Sequence, residues 1–409
     1  MRKDRASEIS LIKQADQFID EILPELVRFR RDLHRHPEVA WEERRTTEQI
    51  IRFLESNKFA KISCPLATGL FCDFDGGAHQ PLLAIRADID ALAIPDAKQV
   101  EYRSQNPGKS HACGHDVHTA VVCGVAKTVQ QFSRYMPVNV RFVFQPAEEP
   151  IPSGAPKMIE AGVLNGVQAM FGMHVESRLP LGTIALTEGW VNAQSIRLDW
   201  EILGKGGHSA RPEEAIDPIT AGVELIHRAR VLSAERWQQT NFPVILQFTR
   251  FRSGEAYNAI PETANLTATL RLTRAGLHEN LLSELEELNR QVANRTGVNI
   301  KMTKKIGAPP VFNDSGLIRK MQQIWKDTQI PGTKVDKEYR SMGGDDFSWY
   351  GQQVPVSMIR FGTKQAKRQY QAHSSLFDVP EEVIGLAVKF FIRHILLWRT
   401  AEKRTGRKD

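Results

Sequence analysis

The densest group of potentially reactive side chains lies between His111 and His118. The segment HACGHDVH places three imidazoles, one thiol and one carboxylate within eight positions. Thiolates and neutral imidazoles are good ligands for zinc-like ions, and Gly114 lets the backbone turn so that Cys113 and His115 can face one point. A thiol beside an imidazole is also the pattern of a cysteine nucleophile, with His111 or His115 as the base. A polar loop with one buried cysteine is the plain structural alternative.

Two adjacent glutamates, Glu148 and Glu149, follow the apolar run Val138–Phe144 in the sequence QPAEEP. Open α/β sheets place their active sites at the carboxyl ends of strands. Adjacent side chains diverge there, so one carboxylate can bind a metal while its neighbour faces a water as a general base. Taken alone, two such glutamates are usually part of a solvated turn.

Further candidate ligands also lie where apolar runs end. His174 ends one run, Asp88 and Asp90 end another, and His373 precedes the last predicted helix. A lone histidine in such a place is usually structural, but here there are several candidates of mixed type. Five ligands and a spare carboxylate suit two metals better than one closed structural zinc. The candidate ligands are Cys113, His115, Glu149, His174 and His373.

A layered α/β sheet would bring these positions together. Short apolar runs at Leu82–Ala87, Val138–Phe144 and Ala169–Met173 predict buried strands, and Thr119–Phe132 predicts a helix. Apolar side chains at helical spacing over Leu11–Leu33 predict an opening helix. This alternation is typical of an α/β fold.

From Ser195 onward the pattern changes, and a second domain is predicted. The chain is 409 residues long, more than one hydrophobic core usually serves. We therefore predict a catalytic domain formed by residues 1–192 and 306–409, with an α+β domain inserted at 193–305. The inserted segment contains predicted strands at Ile196–Leu203, Val244–Arg250 and Ala264–Leu272 and predicted helices at Pro218–Leu232 and His278–Thr296.

The composition argues against several classes of protein. The net charge is +6, but the basic residues are scattered, with modest clusters at Arg28–Arg35 and in the last residues, so nucleic-acid binding is not favoured. The first ten residues lack the apolar segment of a signal peptide, and Lys389 and Arg393 interrupt the longest apolar stretch. Four cysteines without a CxxC pair argue against a disulfide framework. A cytoplasmic protein without a membrane partner is predicted.

Seven motifs occur in the order seen in one protein family, and the resemblance covers the chain from about His34 to Phe377. The chain resembles the aminoacylase-type co-catalytic metallopeptidases, in the branch of N-acyl-amino-acid amidohydrolases, hippurate hydrolases and auxin-conjugate (indole-acetyl-amino acid) hydrolases. The resemblance implies a mixed-sheet α/β/α catalytic domain and an inserted α+β, ferredoxin-like lid domain that commonly forms a homodimer. The motifs are RADIDAL, HACGHDVHTA, QPAEE, GMHV, GKGGHSARP, YNAIP and GGDDFSWY.

The resemblance also assigns roles to individual residues. Glu148 corresponds to the general base of a two-metal hydrolysis, and Asp88 to a carboxylate that supports the ligands. His208 corresponds to the histidine that polarises the scissile carbonyl, while Asn258 and Arg271 match positions that hold the substrate carboxylate. An amide hydrolase must stabilise an oxyanion, and arginine is a natural partner for a carboxylate. Taken singly, His208 would be interpreted as a turn residue and Arg271 as a solvated strand residue.

The implied cofactor is a pair of divalent ions, zinc or manganese, with cobalt or nickel as alternatives. The implied metal ligands are Cys113, His115, Glu149, His174 and His373. The implied substrate is a small N-acyl amino acid or a peptide-like compound.

Three departures from the family pattern bear on substrate preference: Asp345 where relatives often have glutamate, Glu213 where they often have histidine, and Pro152–Pro156 in place of a glycine-rich run. A dipeptidase or carboxypeptidase of the same family is one alternative function. A metal-free thiol hydrolase using Cys113 is another. A metal-dependent binding protein without activity is a third, but the complete ligand set and Glu148 argue against it.

Overall fold

A computed structural model describes residues 2–77, 80–238, 242–365 and 370–398, so the basic C-terminal residues lie outside the described part. The α-helices are α1 (Arg2–Arg35), α2 (Arg44–Ser56), α3 (His115–Gln131), α4 (Gly154–Glu160), α5 (Pro218–Leu232), α6 (Leu277–Thr296), α7 (Ser315–Asp327) and α8 (Glu382–Leu396). The strands from the first half of the chain are β1 (Ile62–Ser63), β2 (Leu70–Phe74), β3 (Leu82–Asp88), β4 (Asn139–Gln145), β5 (Val167–Pro180), β6 (Thr183–Ala185), β7 (Gly189–Asn192) and β8 (Gln194–Leu203). The later strands are β9 (Gly207–His208), β10 (Val244–Ser253), β11 (Ala259–Ile260), β12 (Thr263–Leu272), β13 (Asn299–Ile306), β14 (Val311–Asn313), β15 (Lys334–Asp336) and β16 (Val356–Lys364).

The chain divides into two compact units. Unit 1 comprises Met1–Gly189, Phe312–Tyr339 and Trp349–Asp409, and unit 2 comprises Trp190–Val311 and Arg340–Ser348. The main segment of unit 2 is thus inserted in the sequence of unit 1. It begins and ends a few residues outside the segment 193–305, and the short segment Arg340–Ser348 also groups with it.

Unit 1 is built on a mixed sheet of eight strands in the order β1-β2-β4-β3-β5-β16-β6-β15. The central strands β4, β3, β5 and β16 are parallel to their neighbours in this series, whereas β2 is antiparallel to β4. Six of the seven side chains in β3 and in β4 are buried. Such continuous burial is typical of parallel strands that are covered on both faces.

Helices α1, α3 and α8 pack against one another, and α3 also packs on β3 and β5. Because α3 is almost entirely buried, its first turn is held rigidly at the carboxyl end of the sheet. Arg30 of α1 supports that turn, since its Nε donates to Asp116 at 2.7 Å in a fully buried ion pair. No helix in the described part of the chain is long and apolar enough to cross a membrane.

Unit 2 is a four-stranded antiparallel sheet in the order β10-β12-β8-β13, with α5 and α6 packed on one face. Along β8 the side chains at positions 196, 198, 200 and 202 are buried against these helices, while the intervening ones are not. Along the chain the elements follow the order β8-α5-β10-β12-α6-β13. This strand–helix–strand–strand–helix–strand order is the ferredoxin-like arrangement.

Candidate active site

Three neighbouring parallel strands of unit 1 carry residues of the proposed site. Strands β3 and β4 end beside it, whereas β5 continues past His174, the predicted strand end, to Pro180. Asp88 ends β3, Glu148 and Glu149 follow β4, and His174 lies in β5, which pairs with β3 on the side opposite to β4. Because these strands run in the same direction, their carboxyl ends lie at one edge of the sheet. The sequence motifs that were separated along the chain therefore meet at this edge.

Cys113 and His115 reach the same edge from the start of α3. The helix begins at His115, four residues before the predicted start at Thr119. Gly114 has a φ of +96°, a left-handed conformation that glycine adopts without strain, so the chain can turn into the helix immediately after Cys113. The backbone N–H of His373 donates to the Ala112 carbonyl at 2.8 Å, which brings His373 to the same loop.

The proposed ligand atoms form two groups of three that share Cys113. In one group are Cys113, His115 and His174, and in the other are Cys113, Glu149 and His373. Within each group the candidate ligand atoms lie within 4.8 Å of one another. The Cys113 sulfur is 3.4 Å from Nε2 of His174, and His373 Nε2 is 3.4 Å from Glu149 Oε1. The structure thus brings all five predicted ligands together.

The donor atoms fit a pair of divalent cations. Nδ1 of His115 contacts Asp90, and Nδ1 of His174 contacts the Val175 carbonyl at 2.5 Å, so both rings direct Nε2 into the cluster. The buried atoms Nε2 of His115 and Oε1 of Glu149 have no hydrogen-bond partner among the described residues. Leaving such atoms unpaired is costly, whereas metal ligands normally have this arrangement, with the outer nitrogen hydrogen-bonded.

Asp90 is a supporting residue to which the sequence motifs assigned no role. One of its carboxylate oxygens lies 3.1 Å from Nδ1 of His115, and the other accepts from the Glu149 backbone N–H at 3.1 Å. A single buried carboxylate therefore orients two proposed ligands. The spacing of Asp88 and Asp90 at the end of a strand was the available signal, because alternate residues point to the same side.

Asp88, the predicted supporting carboxylate, lies 3.7 Å from Nε2 of His115. Its closest partners are Arg86, at 2.5 Å, and Nδ1 of His118, at 2.6 Å. Nε2 of His118 in turn accepts from the Val175 backbone N–H at 3.0 Å, so both nitrogens of His118 are occupied. His118 thus connects β3 to β5 as a structural histidine. Burial alone would raise the pKa of Asp88, but the charges of His115 and Arg86 hold that pKa well below its usual value.

The surroundings of Cys113 do not favour a thiolate nucleophile. Burial and the charge of Glu149 raise the pKa of the thiol to about 12. The imidazole at 3.4 Å from its sulfur belongs to His174. His115, the other candidate base, lies in the same group of possible ligands, and its Nδ1 is directed to Asp90. His111 is buried, and burial lowers its pKa to about 3. The arrangement is better suited to a sulfur that ligates a cation than to a catalytic thiol–imidazole pair.

The predicted substrate residues belong to unit 2. His208 lies in β9, which pairs with β11, and the Ser209 backbone N–H donates to the Asn258 carbonyl at 3.1 Å. His208 and Asn258 are therefore neighbours, and both are exposed. Arg271 lies in β12, and its Nη1 donates to the Met342 carbonyl at 2.8 Å.

Comparison with known proteins identifies the family. The model of peptidase family M20/M25/M40 matches residues 84–396. The chain belongs to this family. The resemblance inferred from the motifs and the mixed α/β fold are thereby confirmed, and the protein is a hydrolase of amide bonds.

Individual relatives match most of the chain. An N-acetylcysteine deacetylase of Bacillus subtilis (strain 168) is 34% identical, over 90% of this chain and 94% of the relative. An N-acyl-L-amino acid amidohydrolase of Geobacillus stearothermophilus is 33% identical, over 74% of this chain and 81% of the relative. The solved YXEP protein of Bacillus subtilis, a dinuclear metal binding peptidase from the M20 family, has a TM-score of 0.79 and 32% identity, over 92% of this chain and 98% of that chain.

Proposed function

We propose that the protein is a metal-dependent amidohydrolase that cleaves the amide bond of N-acyl amino acids or related small conjugates. The observation that carries the proposal is the pair of three-ligand groups sharing Cys113, with His115 near both adjacent glutamates. The names of the two relatives above support an acyl group on an amino acid as the substrate class.

The five ligands, Cys113, His115, Glu149, His174 and His373, would hold two divalent ions, zinc or manganese. When bound, such ions lower the pKa of a water molecule and polarise a carbonyl group. Glu148 lies beside His115 and Glu149, where its carboxylate can take the proton of the attacking water. Glu148 then delivers this proton to the amine that leaves. Asp90 keeps His115 and Glu149 oriented, and Asp88 holds His118 beside them.

His208 is proposed to stabilise the oxyanion. Its Nδ1 accepts a hydrogen bond from the Ala210 backbone N–H at 3.1 Å. In the neutral ring this places the proton on Nε2, which can then donate to a developing negative charge. Asn258 and Arg271 are proposed to bind the substrate carboxylate, with the guanidinium of Arg271 oriented by its bond to Met342.

We also propose that the protein is a homodimer formed through unit 2, and that His208 acts at the partner's metals. Ile219, Val223 and Val231 are exposed on α5 at spacings of four and eight residues, so they lie along one helix face. The neighbouring edge strand β10 exposes Ile245 and Phe251. An exposed apolar surface beside an open strand edge is typical of an interface between protein chains.

Metal removal and reconstitution test the function. The chelator-treated, dialysed enzyme should lose its activity, and one of zinc, manganese, cobalt or nickel should restore it. The substrates are N-acetyl, N-benzoyl and indole-acetyl amino acids, with unblocked dipeptides as the comparison that reveals a dipeptidase. Iodoacetamide treatment of the metal-free enzyme identifies a thiol hydrolase. Undiminished turnover in a preparation verified to be metal-free would contradict the proposal.

A further inference from the structure

Glu43 is a buried carboxylate for which the proposed chemistry has no role. Its side chain is fully buried at the start of α2. Oε1 accepts from the Ala147 backbone N–H at 2.8 Å, and Oε2 accepts from the Thr68 hydroxyl at 2.8 Å. Burying a carboxylate is costly unless its oxygens are hydrogen-bonded, and both of these oxygens are. One of the two partners, Ala147, directly precedes Glu148.

Glu43 is free to reach Ala147 because another residue caps the helix. Glu43 occupies the position before the first residue of α2, where a side chain commonly accepts from the second and third N–H groups of the helix. Here Glu38 accepts from the backbone N–H of Arg45 at 3.1 Å and of Thr46 at 2.8 Å. The two glutamates therefore have different roles. Glu38 caps the helix, and Glu43 extends to the segment that follows β4.

Ala147 has an unusual backbone conformation. Its φ is +50°, in the left-handed region that non-glycine residues rarely adopt, and its side chain is fully buried. Its N–H is held by Glu43, and its carbonyl accepts from the Gly154 N–H at 2.7 Å. A side chain on Gly154 would come within 1.9 Å of the Pro146 carbonyl oxygen. Residues in such conformations persist where the surroundings fix them, and they are concentrated at active sites.

The same backbone segment is held again one residue beyond Glu148. The N–H of Glu149 donates to Asp90 at 3.1 Å. The backbone N–H groups of the residues on both sides of Glu148 are thus bound to buried carboxylates, that of Ala147 to Glu43 and that of Glu149 to Asp90. Because the backbone direction at Ala147 sets where the next side chain points, a change there would move the Glu148 carboxylate.

We propose that Glu43 is a positioning residue for the general base, and that it acts by holding Ala147 in the left-handed conformation that directs Glu148 toward the attacking water. The proposal rests on the proposed function for the role of Glu148. It assigns Glu43 no contact with substrate or metal. What matters is a hydrogen-bond acceptor at the position of its Oε1.

The test compares Glu43→Ala, Glu43→Gln and Glu38→Ala. Glu43→Ala should keep both metals and a KM within about twofold of wild type, but lose about 10²-fold in kcat, the scale expected when a catalytic group is displaced by about 1 Å. Glu43→Gln should stay within about threefold of wild type, because its amide oxygen can accept from Ala147 and its NH₂ can donate to Thr68. Glu38→Ala is the matched control. It removes another side-chain acceptor at the start of the same helix, so it should lower the melting temperature without changing kcat.

A second measurement does not depend on activity. Hydrogen exchange at the Ala147 amide should accelerate by about tenfold or more in Glu43→Ala and stay unchanged in Glu38→Ala. If Glu43→Ala fails to fold, Glu43→Asp replaces it; the shorter side chain cannot reach both partners, so kcat should still fall by about tenfold.

Three results would overturn the proposal: kcat of Glu43→Ala within about threefold of the control, loss of metal from this variant, or Glu43→Gln as impaired as Glu43→Ala. The wild-type protein could also hydrolyse none of the amides, while Glu43→Ala still accelerates hydrogen exchange at the Ala147 amide. That result would contradict the proposed function but not the role of Glu43 in holding the backbone.

Discussion

The metal-ligand cluster of unit 1 and the substrate residues of unit 2 differ in how far one chain fixes their geometry. In the cluster, His115 and His174 are each oriented through Nδ1, and Glu149 is held at its backbone N–H. In unit 2, His208 ends β9 and Asn258 directly precedes β11, and both are exposed. Within the described part of the chain, their contacts are with backbone groups. A metal site needs preorganised ligands before the ion binds, whereas residues that recognise substrate can acquire their final partners on closure or dimerisation.

The largest expected effects distinguish two adjacent residues of the cluster. Glu148→Gln should retain both metals and lose about 10²–10⁴-fold in kcat, because it removes the general base. Glu149→Gln should instead lower metal occupancy, because it removes a ligand. Metal analysis and steady-state kinetics on both variants make the comparison. A metal-depleted Glu148→Gln protein beside a fully loaded Glu149→Gln protein would reverse the two roles.

The next effect tests whether unit 2 contributes His208 to the active site of a partner chain. His208→Ala should lose about 10²–10³-fold in kcat, the usual effect of removing one oxyanion donor. Mixed with Glu148→Gln under conditions of confirmed subunit exchange, it should regain about a quarter of the wild-type activity, because half the dimers are mixed and each has one intact site.

The control for this experiment mixes Glu148→Gln with the double variant carrying both substitutions. No site in that mixture combines Glu148 with His208, so it should stay inactive. Confirmed exchange without recovery in the first mixture would place His208 in its own chain's site or outside catalysis.

The smallest expected effect concerns substrate recognition by Arg271. Arg271→Ala should reduce kcat/KM for N-acyl amino acids by about 10–100-fold, the value of a charged hydrogen bond, and should change hydrolysis of the corresponding neutral amides by no more than about threefold. Arg197→Ala is the matched control, because Arg197 lies in the adjacent strand and pairs with Asp199. Equal losses on both substrates would remove Arg271 from the recognition site.

The sequence alone predicted the candidate ligands of the cluster, and it determined the class of the fold. Cysteine, histidine and glutamate at the ends of apolar runs have few common explanations besides metal binding, and the seven ordered motifs identified the family. Apolar periodicity likewise predicted β3 and α5 at nearly the correct positions, because burial on one face or on both faces leaves a pattern along the chain. It also predicted α1, but that helix begins at Arg2 and not at Leu11.

Only the tertiary structure decided which members of HACGHDVH face the cluster and which do not. Cys113 and His115 do so, His118 instead joins Asp88 to Val175, and α3 starts at His115 because Gly114 turns the chain there. It also revealed that Glu43 and Asp90 bind the backbone on either side of Glu148. Glu43 and Ala147 are 104 residues apart, and their contact depends on how the start of α2 lies beside the segment that follows β4. A long-range hydrogen bond of this kind has no local signature, because the same glutamate at a helix start could equally cap the helix or face solvent.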